Sequence, residues 1–245
     1  ETDPGRIKAQ EWLQEHHKTL TDITKKDDSA FATVMIQQYY RIVSTAIKAN
    51  DPNHLYLGTR FHGRVTNQDC TFAASAPFLD VISVNYYHRW TPEQARITKW
   101  TQDLAHNKPM MVTEWYAKGQ DAEESSPDNI DNQSGSGFLV PTQADRGAFY
   151  EHFTMNLLRN PNVVGWHWFR YMDYTSNMGI VNAQFEPYQA LATSMQRINT
   201  RVYALSDYLL TTATSGKNTS KVSGGDDADA DSLPQFMDEL VIVDK

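Results

Sequence analysis

Apolar runs and polar stretches alternate along this chain in a repeating unit. Four short segments are apolar or β-branched nearly throughout: HLYLGTRF at 54–61, VISVNYY at 81–87, PMMVTEW at 109–115 and NVVGWHWF at 162–169. A strand with one wet face would alternate; runs like these predict strands buried on both faces, as in a parallel sheet. Between them lie helical stretches. TPEQARITKWTQDLA at 91–105 predicts a helix with Thr91 as N-cap and Pro92 in its first position. TQADRGAFYEHFTMNLL at 142–158 predicts another, again opening on a threonine. The link at 70–78 has room for a turn or two. The first three strands start 27 to 28 residues apart, and the insertion SSPDNIDNQSGSGFLVP at 125–141 delays the fourth. The rhythm is that of βα repeats.

Upstream, RIKAQEWLQEHH at 6–17 predicts a helix and residues 30–49 a stronger one. In the latter Phe31, Val34, Met35, Tyr39, Ile42, Val43 and Ile47 recur at steps that make one apolar face. NDPNH then supplies the stop. Residues 187–209 predict one last helix with a short extension. From about Thr211 the chain turns small, polar and acidic (TTATSGKNTSKVSGGDDADADS), which predicts a disordered linker or tail over 211–245.

Composition then narrows the function classes. A chain of 245 residues with a net charge of −8 lacks the basic surface that a nucleic acid or an anionic membrane needs. Cys70 is the single cysteine, which excludes an internal disulfide framework and a cysteine-based zinc site. No apolar run approaches the roughly 18 residues of a membrane span, and the opening ETDPGRIKAQEW has no signal-peptide pattern. Asp227, Asp229 and Asp231 have the first spacings of a calcium loop, but Ser232 and Asp238 stand where Gly and Glu belong. The run reads as a solvated acidic linker, and no cofactor or metal is expected. The 6 Trp and 12 Tyr supply flat, partly polar faces that suit sugars as well as ordinary cores.

The candidate chemistry gathers at the C-terminal ends of the predicted strands. The first ends in Arg60 and His62, the second in Asn85, Tyr86, Tyr87 and His88, the third in Glu114, Trp115 and Tyr116, the fourth in Trp166, His167, Trp168 and Arg170. In a (β/α)8 barrel those ends converge on the active face. Glu114 stands out because it closes an apolar strand on a charge. Such a carboxylate can attack an anomeric carbon while a second carboxylic acid protonates the leaving oxygen; the competing reading is a buried ion pair. Trp166 and Trp168, two apart, face one side and read as sugar platforms or as core; His167 faces the other. Tyr86 and Tyr87 face opposite ways, so one of them should lie beside Glu114, and Tyr86 is favoured. His62 sits at the rim. Asp173, in RYMDYTSN, is a substrate contact or a turn former.

VTEWYAKG following DVISVNYY, and followed by VVGWHWFRYMD, resembles the C-terminal half of retaining glycoside hydrolases of clan A, closest to the β-agarase-like families 50 and 86. The resemblance spans roughly residues 30–205 and includes AIKANDPNHLYLGTRFHG and SNMGIVNAQFEPY. It implies an α/β fold, the second half of a (β/α)8 TIM barrel over 54–210, with 1–53 as a helical lead-in. It implies Glu114 as nucleophile, Tyr86 or Tyr87 as its hydrogen-bond partner, and Trp166 or Trp168 as the sugar platform. Arg60, His62, Asn85, Tyr87, Trp115 and Asp173 would line the substrate site. The acid/base of that clan ends the fourth strand, usually as Asn-Glu. No Asn-Glu occurs here, and 1–53 has no room for four strands. The chain is therefore expected to be a fragment that carries the nucleophile, lacks the acid/base and is inactive alone. The resemblance implies that the complete protein is an endo-acting enzyme on β-linked galactan such as agarose or porphyran, secreted, periplasmic or at the cell surface. Its partners would be that polysaccharide and the missing N-terminal half. The alternatives are a non-catalytic carbohydrate-binding relative and a clan A enzyme for another β-glycan.

Overall fold

The computed structural model describes residues 3–126 and 128–216. The chain divides into two units, Glu1–Leu210 and Thr211–Lys245. The second, with the expected acidic tail and the run from Asp227 to Asp231, lies almost wholly outside the described residues. Every strand among the described residues belongs to the first unit.

Two helices lead in. Helix α1 spans Pro4–Glu15, capped by the Asp3 carboxylate on the Arg6 amide. Helix α2 spans Lys25–Asn50 and opens on a reciprocal capping box between Thr24 and Asp27. Trp12 joins the two by packing edge-on against Phe31. The expected apolar face of α2 is only partly used. Tyr40 is buried and Ile36 packs on the core, whereas Met35, Tyr39 and Ile42 lie exposed. The inward face is therefore rotated from the one that residue spacing alone suggests, because Tyr40 packs against Phe61 below it.

The segment 54–61 corrects a second expectation. It forms no strand; only Phe61 bridges Val84 in parallel. Gly58 adopts φ +66°, and the Leu79 side chain fills the space where a β-carbon would stand. One left-handed residue interrupts the extended run that its neighbours would continue. The segment still follows the sheet, with Phe61 N–H on Ser83 O at 2.9 Å and Asn85 N–H on Phe61 O at 2.8 Å.

After the short helix α3 (Asp69–Ser75) comes β1 (Ile82–Asn85). Helix α4 (Gln94–Thr98) passes into a π-helical turn at Lys99–Asp103, and β2 covers Met110–Glu114. Helix α4 starts later than expected: Glu93, not Thr91, is its N-cap. The Thr91 hydroxyl pairs instead with His152 Nε2 at 2.7 Å. Strand β3 (Ala117–Gly119) and the short helix α5 (Ala122–Ser125) lead into the insertion, which holds β4 (Phe138–Val140). Helix α6 (Gln143–Leu158) opens on a Thr142–Asp145 capping box and leads to β5 (Val163–Trp166). The expected last helix is two, α7 (Gln189–Asn199) and α8 (Val202–Gly216), parted at Asn199–Thr200, both weak helix formers.

The main sheet is parallel, in the order β1-β2-β5. Ile82, Val84, Met110 and Val112 are fully buried, which is why these runs are apolar without alternation. Strands β3 and β4 form a separate parallel pair. Helix α6 lays Phe149, Phe153 and Leu157 on the sheet, and Trp115 stacks on Phe153 at 4.1 Å. The result is a mixed α/β fold with its core between the sheet and the helices.

Candidate active site

Glu114 ends β2 opposite Asn85, the last residue of β1. Its backbone is fixed there, since its carbonyl accepts the Tyr86 N–H at 2.8 Å. Its side chain is 13% exposed, and both carboxylate oxygens are engaged. Oε1 meets Arg60 Nη1 at 2.6 Å, and Oε2 accepts the Tyr87 hydroxyl at 3.0 Å. The segment with Phe61, the link that follows β1, and strand β2 thus each contribute one group to the same point. A bulge between Val84 and Asn85 shifts the register just before the tyrosines, where it re-aims the side chains that follow.

Tyr87 is held for a donor's role. Burial first, and the negative charge of Glu114 second, push its hydroxyl pKa well above the usual phenol range, so its proton stays on. Its ring lies edge-on to His62 and to Tyr116, both at 5.7 Å. Phe169 extends the row beyond Tyr116, also at 5.7 Å. The Asn85 amide oxygen accepts the Thr113 hydroxyl at 3.0 Å. Glu114, Arg60, Tyr87, His62 and Asn85 therefore form one constellation.

Other expected site residues are placed elsewhere. Tyr86 is buried, and its hydroxyl accepts the Glu93 N–H at 2.9 Å while its ring packs on Trp100 and Phe153. It serves the start of α4; just beyond the end of β1, Tyr86 turns inward and Tyr87 to Glu114. Trp115 is 1% exposed among Phe153, Tyr150 and Trp168, and its indole N–H has no partner among the described residues. It is core, not substrate surface. Asp173 is equally buried and accepts from Gly179 N–H, the Asn177 amide and the Tyr188 hydroxyl, the last at 2.5 Å. It organises a turn. Trp166 and Trp168 do share a side, but it is the side of α6: Trp166 donates to the Tyr150 hydroxyl and Trp168 to Met178 O, each at 2.8 Å. Both line a cleft of about 810 Å³ between β5 and the helices, together with His167.

A polar scaffold was missed by sequence reasoning. Arg146 is fully buried on α6 and donates to Ala117 O, Gln143 Oε1 and Gly179 O at 2.7–2.8 Å. Desolvation lowers its pKa to about 10. Its guanidinium also lies 5.6 Å from the Trp168 ring and 5.2 Å from that of Tyr188. Lys118 donates to Asn132 O and Ser134 O and so ties the insertion to β3. One signal was available: Arg146 sits on the same helical stripe as Phe149, Phe153 and Leu157. Among the described residues, no three His, Cys, Asp or Glu side chains are grouped to hold a metal, and no helix is long and apolar enough to cross a membrane.

No protein-family profile matches the chain. Curated β-agarase B from Vibrio sp. (strain JT0107) is 26% identical over 214 residues, 81% of this chain and 21% of that protein. The solved structure of BpGH50 is 38% identical, with a TM-score of 0.77 over 84% of this chain and 45% of that one. The structure of an exo-β-agarase is 28% identical, with a TM-score of 0.64 over 75% of this chain and 25% of its own. The chain thus spans about a fifth of the curated relative and less than half of the first of these structures. In sequence and fold alike, the chain is β-agarase-like, a part-length relative of glycoside hydrolases.

Proposed function

We propose that this chain is part of a retaining glycoside hydrolase that cleaves β-linked galactan of the agar type, with Glu114 as its nucleophile. The observation that carries the reading is the three-way contact at Glu114: a carboxylate ending an apolar strand, fixed by Arg60 and Tyr87. In the first step a Glu114 oxygen bonds to the anomeric carbon as the glycosidic C–O bond breaks, and a carboxylic acid elsewhere in the whole protein protonates the leaving oxygen. Water then attacks the same carbon from the side the leaving group vacated, its proton passes to the carboxylate that had protonated the leaving oxygen, and Glu114 departs as carboxylate. Arg60 and Tyr87 aim the attacking oxygen and stabilise the negative charge that returns to it as the glycosyl–enzyme bond breaks.

The same reading takes the parallel sheet as the second half of a (β/α)8 barrel. Two features support it. Among the described residues β5 pairs only with β2, and Val164 on it is 61% exposed. At the other end the apolar Met35, Tyr39 and Ile42 of α2 lie uncovered. Further strands and helices of the whole protein would cover both. Agarase-like substrates are polymers outside cells, so the whole enzyme would act there, in endo mode, on agarose or porphyran.

The test uses the whole protein that carries this chain. Agarose oligosaccharides are incubated with wild type and with Glu114→Gln, and proton NMR follows the anomeric configuration of the first product. Turnover with retained β configuration, abolished in the variant, is expected. Tight oligosaccharide binding without turnover in the wild type would favour the carbohydrate-binding alternative instead.

A further inference from the structure

Beside Glu114 lies a second concavity of about 290 Å³, bounded on one side by the turn Gly63–Asn67 and on the other by the link from β1 to α4. Asn85 and Tyr87 belong to both places: each lines this pocket, and the Tyr87 hydroxyl touches Glu114. A pyranose held at Glu114 would therefore present its substituents to the pocket.

The charges around it are unbalanced. Its walls carry Arg64, Arg89 and Arg96 with His62 and His88, and no carboxylate lines it. Glu93 is the acid nearest in contact, bridging Arg89 at 2.9 Å and Arg96 at 3.4 Å from outside the lining. Among the described residues no carboxylate pairs with Arg64, His62 or His88. Arg96 is further fixed by Thr66 and Asn67 and lies over the Trp100 ring at 4.7 Å, so one guanidinium is held rigidly in the wall. Three guanidiniums line the pocket, with Glu93 bridging two of them and Glu114, itself paired with Arg60, at its edge; this is a local reversal in a chain of net charge −8. A concave site lined by one sign of charge focuses its field and draws the opposite ion. Guanidinium forks match the paired oxygens of a sulfate ester or a carboxylate.

We propose that this pocket is a subsite for an anionic substituent, a sulfate ester or a carboxylate, on the sugar ring bound at Glu114 or on its neighbour. The inference rests on the glycosidase reading and adds to it a preference for charged galactans. A neutral galactan would leave the Arg64 guanidinium to water.

The experiment is calorimetric binding to the whole protein carrying Glu114→Gln, which prevents turnover. The probes are galactan oligosaccharides of one length in three forms: sulfated, chemically desulfated, and bearing a carboxylate. The sulfated or the carboxylated form is expected to bind about tenfold more tightly than the desulfated one, on the scale of one hydrogen bond to a charged group. Whichever form is preferred identifies the anion. Arg64→Gln with Arg89→Gln should erase the preference, and Arg64→Lys with Arg89→Lys should restore part of it. Far-UV circular dichroism checks that each variant is folded. Equal binding of all three forms overturns the proposal and leaves the glycosidase reading standing. A preference that survives the double glutamine variant also overturns it. Failure of every form to bind sinks both.

Discussion

Tyr87 and Glu114, 27 residues apart in sequence, meet at 3.0 Å with the tyrosine as donor. Glu114 ends β2 and Tyr87 lies two residues past the end of the neighbouring parallel strand β1, so the contact depends on the β1–β2 register. Because burial and the adjacent carboxylate push the phenol pKa up, the donor persists through the alkaline range. Tyr87→Phe should therefore lower kcat by roughly ten- to a hundredfold through loss of one charge-assisted hydrogen bond. It should leave the alkaline limb of the pH–rate profile where it was. A wild-type kcat, measured on agarose oligosaccharides with the whole protein, would remove Tyr87 from the mechanism.

Glu114→Gln keeps the shape of the side chain and removes its nucleophilicity. Turnover should fall by several powers of ten, as when a covalent nucleophile is lost. Arg60 would lose its counter-ion, but it is half exposed and water can replace the partner, so the thermal midpoint should move little. Activity and unfolding are measured on one preparation. A collapse of stability alongside activity would recast Glu114 as a structural ion pair.

Arg146 is the structural charge of this fold. Replacing it with Met leaves Ala117 O and Gly179 O without their donor in a dry interior. The expected loss is about 3–5 kcal/mol, the cost of breaking a buried polar arrangement on one side. Urea unfolding measures it. Lysine should rescue only part, because one ammonium cannot reproduce a planar fork reaching three acceptors.

Trp168→Ala should weaken the fold more than it weakens sugar binding. The ring packs on Trp115 and Tyr150, under the Arg146 guanidinium, and its N–H reaches Met178 O. Truncation costs about 3–5 kcal/mol in such a setting. A binding loss with unchanged urea midpoint would return Trp168 to the sugar site.

Much of this was legible because burial writes itself into composition. Strands covered on both faces must be apolar throughout, so β1 and β2 were plain in VISVN and MMVTE; β5 was as plain in VVGW, although Val164 on it is exposed. The capping boxes at Thr24 and Thr142 are local chemistry; the sequence showed a threonine at the second. Glu114 was conspicuous because a charge closing such a strand needs a partner. What stayed hidden depends on the third dimension. Gly58 reads as a tolerable strand residue until its φ is known. The choice between Tyr86 and Tyr87 turns on a bulge one residue upstream. Trp166 and Trp168 were rightly put on one side, but which side carries the helices is a matter of packing. Asp173 and Arg146 act through partners spread from Ala117 to Tyr188, and no short motif announces such a set.

Asp80 ties the irregular segment 54–61 to the sheet, and the bond is acid-sensitive. Its carboxylate accepts the Tyr56 N–H at 2.7 Å and pairs with Lys48 at 2.9 Å, while its own N–H goes to Tyr56 O. The backbone hydrogen bond from Tyr56 chiefly, then that from Lys48, lower its pKa below the ordinary 3.8. The sign follows from linkage. A carboxylate that is more acidic in the folded state contributes stability that is fully present above its unfolded pKa. That stability is lost as pH falls through the folded value. Since this segment carries Arg60 to Glu114, its hold on the sheet also bears on the site. Asp80→Asn should thus lower the urea midpoint at pH 7, and the gap to wild type should close as both are titrated below about pH 3. Because the side chain is more than a third exposed, the gap at pH 7 should be a modest one. A gap of equal size at pH 7 and at about pH 2 would mean that the asparagine disturbs packing, and that the Tyr56 and Lys48 contacts contribute no charge-dependent stability.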